Sequence, residues 1–210
     1  MATTKSEASV RERLLGAAND LFYEEGVHTV GIDRVLERAG VAKASLYGTF
    51  GSKDELVRGY LEARAVRRQE RISTRIEQLD TPRERILGIF DLLGEIAAEP
   101  TFRGCAFVNA SAEGPRGDSK VRQVCTDSRA WVRGVFTGLA RDAGARDAAR
   151  LGRRLALLYD GAMIGAAMES DPGIAAEARA MAEVLLDAEA AARSDAKAKG
   201  KAKGRAATSR

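Results

Sequence analysis

The chain has 210 residues, 45% hydrophobic, 5% aromatic and 30% charged, with four prolines and a net charge of +4. That length buries a substantial core as one large or two small domains, and the composition fits a soluble, mostly helical protein. A single histidine, His28, leaves no His-based triad, and Cys105 and Cys125 show neither zinc-ligand spacing nor the number needed for a disulfide scaffold. We therefore expect no catalytic residue, no metal and no cofactor, and hence no enzyme.

No apolar run approaches the roughly 20 residues that span a bilayer. The opening stretch, MATTKSEASVRERLL, lacks the apolar core of a signal peptide, so a cytoplasmic location and no membrane partner are expected. The net charge conceals an asymmetry. From Arg193 onward seven basic residues face one aspartate, a net +6, which leaves −2 on the preceding 192 residues. Nucleic-acid binding by the folded part would have to rest on local placement rather than on a whole-protein field.

In chain order, residues 1–8 read as a disordered lead-in. Ser9 and Glu12 form a capping box. Val10, Leu14, Ala17, Ala18, Leu21 and Phe22 then share one helical stripe, which Gly26 ends. Ile32, Val35, Leu36 and Ala39 recur at helical steps up to Gly40, a residue suited to a left-handed helix end. A short third helix runs from about Lys43 to Thr49, anchored by Leu46 and closed by Phe50. Two short helices joined by a tight Gly-containing turn form the unit whose second helix enters a DNA major groove.

Ser52 and Glu55 cap a fourth helix, 53–79, read as the connector between a head and a body, with Arg58, Arg64, Arg67, Arg68, Arg71 and Arg75 forming a mostly solvated stripe. Thr81-Pro82-Arg83-Glu84 starts a fifth helix that ends before Pro100. The stretch from Thr101 to Lys120 is short and irregular, broken by Gly104, Gly114, Pro115 and Gly117. Helices follow over about 120–143, 147–168 and 172–193, and 193–210 is a Lys/Ala/Gly tail expected to be disordered. The fold class is all-α, about nine helices, three in the head and six in the body, with boundaries at 9–52, 53–192 and 193–210.

On the third helix, side chains facing away from Leu46 and Phe50 point toward the groove. Lys43, Ala44 and Thr49 are best placed, flanked by Ser45 and Tyr47. A phosphate is also favoured at the start of the fourth helix, where Lys53 stands, because unpaired N–H groups and the positive end of the helix dipole meet there.

The segment AGVAKASLYGTFGSKDEL resembles the DNA-binding signature of the TetR/AcrR family of bacterial repressors, most densely over residues 10–58. The resemblance implies that Tyr47 and Lys53 reach phosphates. Two departures stand out. Ala42 occupies a position where many relatives cap the recognition helix with Ser or Thr, and Gly48 one where many carry a larger DNA-contacting side chain. Family members bind a small molecule in a C-terminal body, and RGCAFVNASAE, Arg103 to Glu113, resembles a segment near the pocket in one subset. Candidate ligand residues are Phe90, Phe107, Asn109, Glu113, Trp131, Tyr159 and Met163, with Asn109 and Glu113 supplying the polar groups that such apolar pockets need. Cys105 invites a redox reading, but a sensor thiol needs a lowered pKa and access, and no histidine lies near it in sequence.

The resemblance also implies a homodimer through the last two long helices. The eighth carries Leu151, Leu155, Leu158, Ala162, Gly165, Ala166 and Met168, and the ninth Ile174, Ala178, Met181, Leu185 and Ala188. The expected function is a dimeric repressor that binds palindromic operator DNA and is released by a small-molecule inducer. The alternative is a ligand-independent architectural DNA binder using the basic tail.

Overall fold

The computed structural model describes residues 8–113 and 119–207. Residues 1–7 of the lead-in, the breaks at Gly114, Pro115 and Gly117, and residues 208–210 lie outside the described residues. Among those described, nine helices and no strand occur: α1 Val10–Glu25, α2 Ile32–Ala39, α3 Lys43–Phe50, α4 Lys53–Glu77, α5 Pro82–Ala97, α6 Ala106–Glu113, α7 Ser119–Asp142, α8 Ala148–Glu169 and α9 Ile174–Ala207. None is long and apolar enough to cross a membrane.

The chain divides into two compact units. The first holds residues 1–70 and 105–129; the second holds 71–104 and 130–210. These divisions differ from the boundary expected at 52/53. The reason is the core of the first unit, where Leu14, Phe22, Val35, Leu46, Leu56 and Leu61 pack in one cluster with Phe107 and Ala110 of α6 and Val121 and Cys125 of α7. The irregular stretch after Pro100 thus yields a real helix, α6, packed into the head.

Local signals set the helix ends. Ser9 and Glu12 form the reciprocal capping box at the start of α1. Gly40 adopts a left-handed conformation, φ 62°, and lets the Val41 N–H donate back to the Leu36 carbonyl at 3.2 Å. Ala42 at the start of α3 offers no side-chain cap, whereas the Ser52 hydroxyl accepts the Glu55 N–H at 3.1 Å.

In the second unit, Thr81 and Glu84 cap α5 with Pro82 in its first turn. Asp147 caps α8, accepting the Arg150 N–H at 2.9 Å. Phe90, Phe136 and Tyr159 form an aromatic cluster with centroids 5.7–6.5 Å apart, and Arg179 ties α9 to Asp91 of α5 at 2.8 Å. Gly152 is required by packing: a Cβ there would lie 2.7 Å from the Thr137 backbone nitrogen.

Two sequence expectations change. The backbone of α9 stays helical to Ala207, past Arg193 where a disordered tail was expected, because Ala and Lys are strong helix formers that need no burial. The arginines of α4 are also only partly a solvated stripe: Arg67 and Arg71 are exposed, but others are covered or paired. Arg64 lies 3.6 Å from the Tyr23 ring centroid and Arg68 4.4 Å from that of Phe107. Within the second unit, Arg71 and Arg75 pair with Glu99 at 2.8 Å and Glu95 at 2.6 Å. Long arginine stems cover apolar surface while their heads find partners.

Candidate nucleic-acid interface

α3 is held by one fully buried residue, Leu46. Phe50, half-buried, closes its far end against Leu15 and Gly59, where a Cβ would sit 3.1 Å from the Phe50 ring. With Leu46 turned inward, the opposite face carries Lys43, Ala44, Tyr47, Gly48 and Thr49, all exposed, with Ser45 half-buried beside them. Tyr47 is 48% exposed, although large apolar rings are normally covered. A Cβ added at Gly48 would meet nothing within 4 Å, so the position has room for the larger side chain that relatives carry.

The polar groups of this face are lightly held. Lys43 Nζ lies 3.3 Å from the Asp33 carboxylate of α2, both well exposed, so the pair contributes little in water and is free to exchange for a phosphate. The Thr49 hydroxyl donates to the Ser45 carbonyl at 2.7 Å and keeps its lone pairs for accepting. Lys53, half-buried in the first turn of α4, has its Nζ 5.9 Å from the Phe22 ring centroid. By contrast, Arg34 is engaged by two bonds to Glu25, the longer 2.9 Å, and Arg38 lies 3.4 Å from Asp20. The Arg34 hydrogen bond holds the Glu25 carboxyl below the usual carboxylate range.

The candidate ligand residues do not converge in one unit. Phe90, Tyr159 and Met163 are buried and Trp131 half-buried in the second unit, where Phe90 and Tyr159 meet at 6.5 Å. Phe107 is buried in the first unit under Arg68, and Asn109 and Glu113 belong to that unit too. Both are exposed rather than buried, because α6 turns Ala106, Phe107 and Ala110 inward. Glu113 instead accepts the His28 backbone N–H at 3.1 Å. A crevice of about 120 Å³ lined by Arg83, Leu151, Leu186 and Glu189 contains none of the candidates.

Sequence reasoning missed two members of these surroundings, Phe136 and Arg68. Arg68 donates to the carbonyl of Ser128 at 2.8 Å and to its hydroxyl. The four-residue step from Arg64 to Arg68 places both on one side of α4, which was the available signal. Burial, with a smaller effect from Cys105, pushes the Cys125 thiol up to about 11, which leaves it protonated and unreactive at neutral pH. Among the described residues no group of three His, Cys, Asp or Glu side chains is placed to hold a metal.

The apolar residues expected for dimerisation divide into buried and exposed ones. Leu151, Leu155, Ala162, Ala166 and Ala178 are buried within the second unit, since α8 packs on α5 and α9. Of the expected set, Met168 on α8 and Met181 on α9 are exposed, and the other exposed large apolar residues of these helices are Leu157, Ile164 and Val184.

Residues 14–60 match the model of a family described as bacterial regulatory proteins, tetR family. A crystallised TetR-family transcriptional regulator from Streptomyces coelicolor is 32% identical, with a TM-score of 0.81 over 86% of this chain and 95% of that one. The transcriptional activator FasR of Mycolicibacterium smegmatis is 28% identical over 138 residues, 64% of this chain and 60% of that protein. The repressor NemR of Escherichia coli K12 is 29% identical over 110 residues, 51% of this chain and 55% of that protein. The matched stretches therefore span under two thirds of either curated relative. With a helix-turn-helix head, an all-helical fold among the described residues and a structural match at 32% identity that covers 86% of this chain and 95% of the other, this chain belongs to the TetR family of DNA-binding transcriptional regulators.

Proposed function

We propose that the protein is a homodimeric repressor that binds near-palindromic operator DNA and is released by a small-molecule inducer. The observation that carries this reading is the exposed face of α3. Lys43, Ala44, Tyr47 and Thr49 stand clear of the core on a helix whose one buried residue faces the other way. In this reading Tyr47 and Lys53 contact phosphates and set the register, while Lys43, Ala44, Ser45 and Thr49 read base edges. Gly48 contributes close backbone approach without a side chain.

Two heads must meet half-sites one helical turn, or a multiple of it, apart. The exposed apolar residues Leu157, Ile164, Met168, Met181 and Val184 support a dimer through α8 and α9, because exposed apolar surface on a folded chain is stabilised by a copy that covers it. Phe90, Trp131, Tyr159 and Met163 are the proposed inducer contacts in the second unit. The inducer would act by binding better to the state whose heads fit DNA poorly. Activation rather than repression is the second reading, supported by the similarity to the activator FasR.

The test is salt-dependent binding to DNA from upstream of the gene, against scrambled DNA, with and without residues 193–210. A specific dimer-sized complex that persists without those residues and is weakened by Tyr47→Ala supports the reading. Equal binding to both DNAs, lost with the basic segment, overturns it in favour of an architectural binder. A reporter assay separates repression from activation.

A further inference from the structure

We propose that Glu113 and Lys120, the residues on either side of the connection between α6 and α7, are positioning residues for the DNA-reading head. The inference rests on the regulator reading above. Neither residue belongs to the helix-turn-helix, and each contacts a residue far from it in sequence within the first unit. Glu113, the last residue of α6, accepts the His28 backbone N–H on Oε2 at 3.1 Å, 85 positions away in sequence. His28 lies in the turn between α1 and α2. Gly26 opens that turn with φ 96°, and a Cβ there would lie 2.8 Å from the Glu113 carboxylate. Glycine at 26 therefore serves twice: it permits the left-handed backbone and leaves the space that the carboxylate fills.

Lys120, in the first turn of α7, donates from Nζ to Glu55 Oε1 in the first turn of α4, 65 positions away. Glu55 is also the residue whose N–H the Ser52 hydroxyl accepts, so this contact acts where the chain leaves α3 and enters α4. The two contacts thus bracket the helix-turn-helix, one at the turn leading into α2 and the other at the helix leaving α3.

Between those points α2 and α3 bury only Val35, Leu36, Ala39 and Leu46. Two helices of eight residues with so small a buried face take their orientation from what holds their ends. A hydrogen bond from a backbone N–H to a carboxylate, and an ion pair at the start of a helix, are exposed interactions that add little to global stability. Their consequence is geometric, because a small tilt of α3 moves its side chains away from base edges while leaving the fold intact.

The experiment measures binding of the full chain to its operator fragment and to scrambled DNA across a salt series, with hydrogen exchange of the 26–31 amides and urea midpoints on the same samples. The variants are Glu113→Ala, Glu113→Gln, which keeps an acceptor oxygen, and Lys120→Ala. Glu113→Ala and Lys120→Ala are expected to weaken specific binding by about 2- to 30-fold, the range for substitutions that modulate coupling without touching the ligand. Urea midpoints shift only slightly beside the loss of affinity and salt slopes stay unchanged, exchange at His28 quickens in Glu113→Ala, and Glu113→Gln recovers most of the affinity.

Specific binding by the unsubstituted chain that survives unchanged in both alanine variants overturns the inference and leaves the regulator reading intact. A parallel fall of midpoint and affinity in Glu113→Ala and Glu113→Gln assigns Glu113 to global folding and overturns it for that residue. A salt slope reduced by about one unit in Lys120→Ala makes Lys120 itself a phosphate contact and overturns it for that residue. Absence of specific binding by the unsubstituted chain overturns both readings together.

Discussion

Leu46→Ala isolates the anchoring of the recognition helix. Leu46 is fully buried and is the one buried residue of α3. Truncating a buried leucine to alanine costs about 2–5 kcal/mol, the spread reflecting how far the site collapses around the lost atoms. Against a total stability of about 5–15 kcal/mol, that is a large fraction. The loss falls on an element that cannot compensate, since a helix of eight residues is marginal without tertiary packing and Ala42 gives α3 no side-chain cap. The α3 amides should lose exchange protection before the rest of the head, and specific DNA binding should vanish while far-UV circular dichroism falls only slightly. Leu46→Met, which conserves volume, should cost under about 1.5 kcal/mol and retain binding. Urea unfolding, amide exchange and operator anisotropy on the three proteins decide the matter. A Leu46→Ala cost below about 1 kcal/mol, with α3 protected and binding intact, would refute the argument that Leu46 alone docks this helix.

Gly48→Ala should stabilise the protein by up to ~1 kcal/mol, because the glycine is helical and its Cβ direction is empty; a lower thermal midpoint would show that the site is not open. Ile164→Asp combined with Val184→Asp, at exposed apolar positions of α8 and α9, should leave the fold intact and shift sedimentation from dimer to monomer. An unchanged dimer would move the interface elsewhere. Stability should also fall in acid with a definite sign. Hydrogen bonds from Arg34 and Lys120 hold the Glu25 and Glu55 carboxyls below the ordinary value of 4.5. Their folded-state values are depressed, so the contribution is present above about pH 4.5 and is lost as pH falls through the depressed values. Urea midpoints measured at falling pH should be level near neutrality and decline in that window, less steeply in Glu55→Gln.

The helices themselves were legible in the sequence because their signals are local. Ser9 with Glu12, Ser52 with Glu55, and Thr81 with Pro82 and Glu84 each act within four residues, and the structure uses all three. The exposed face of α3 was legible for a related reason: once Leu46 points inward, the helical period assigns Lys43, Ala44, Tyr47 and Thr49 to the other side. Errors collected where composition was read as environment. Arg64 and Arg68 looked like solvated charge yet lie over aromatic rings, and the Lys/Ala tail looked disordered although its backbone is helical to Ala207.

What the sequence determined alone was the all-α class, the order of the long helices and which side chains of α3 stay clear of the core, since capping and periodicity are properties of neighbours along the chain. What tertiary structure alone decided was partnership. α6 and the start of α7 join the head core through Phe107, Ala110, Val121 and Cys125, Glu113 reaches the α1–α2 turn, and on α8 Leu151 and Leu155 are buried while Leu157 and Ile164 are exposed. In each case the outcome is set by what another part of the chain brings against the helix. Those partners lie up to 85 positions away, as for Glu113 and His28, and no periodicity within a single helix carries that information.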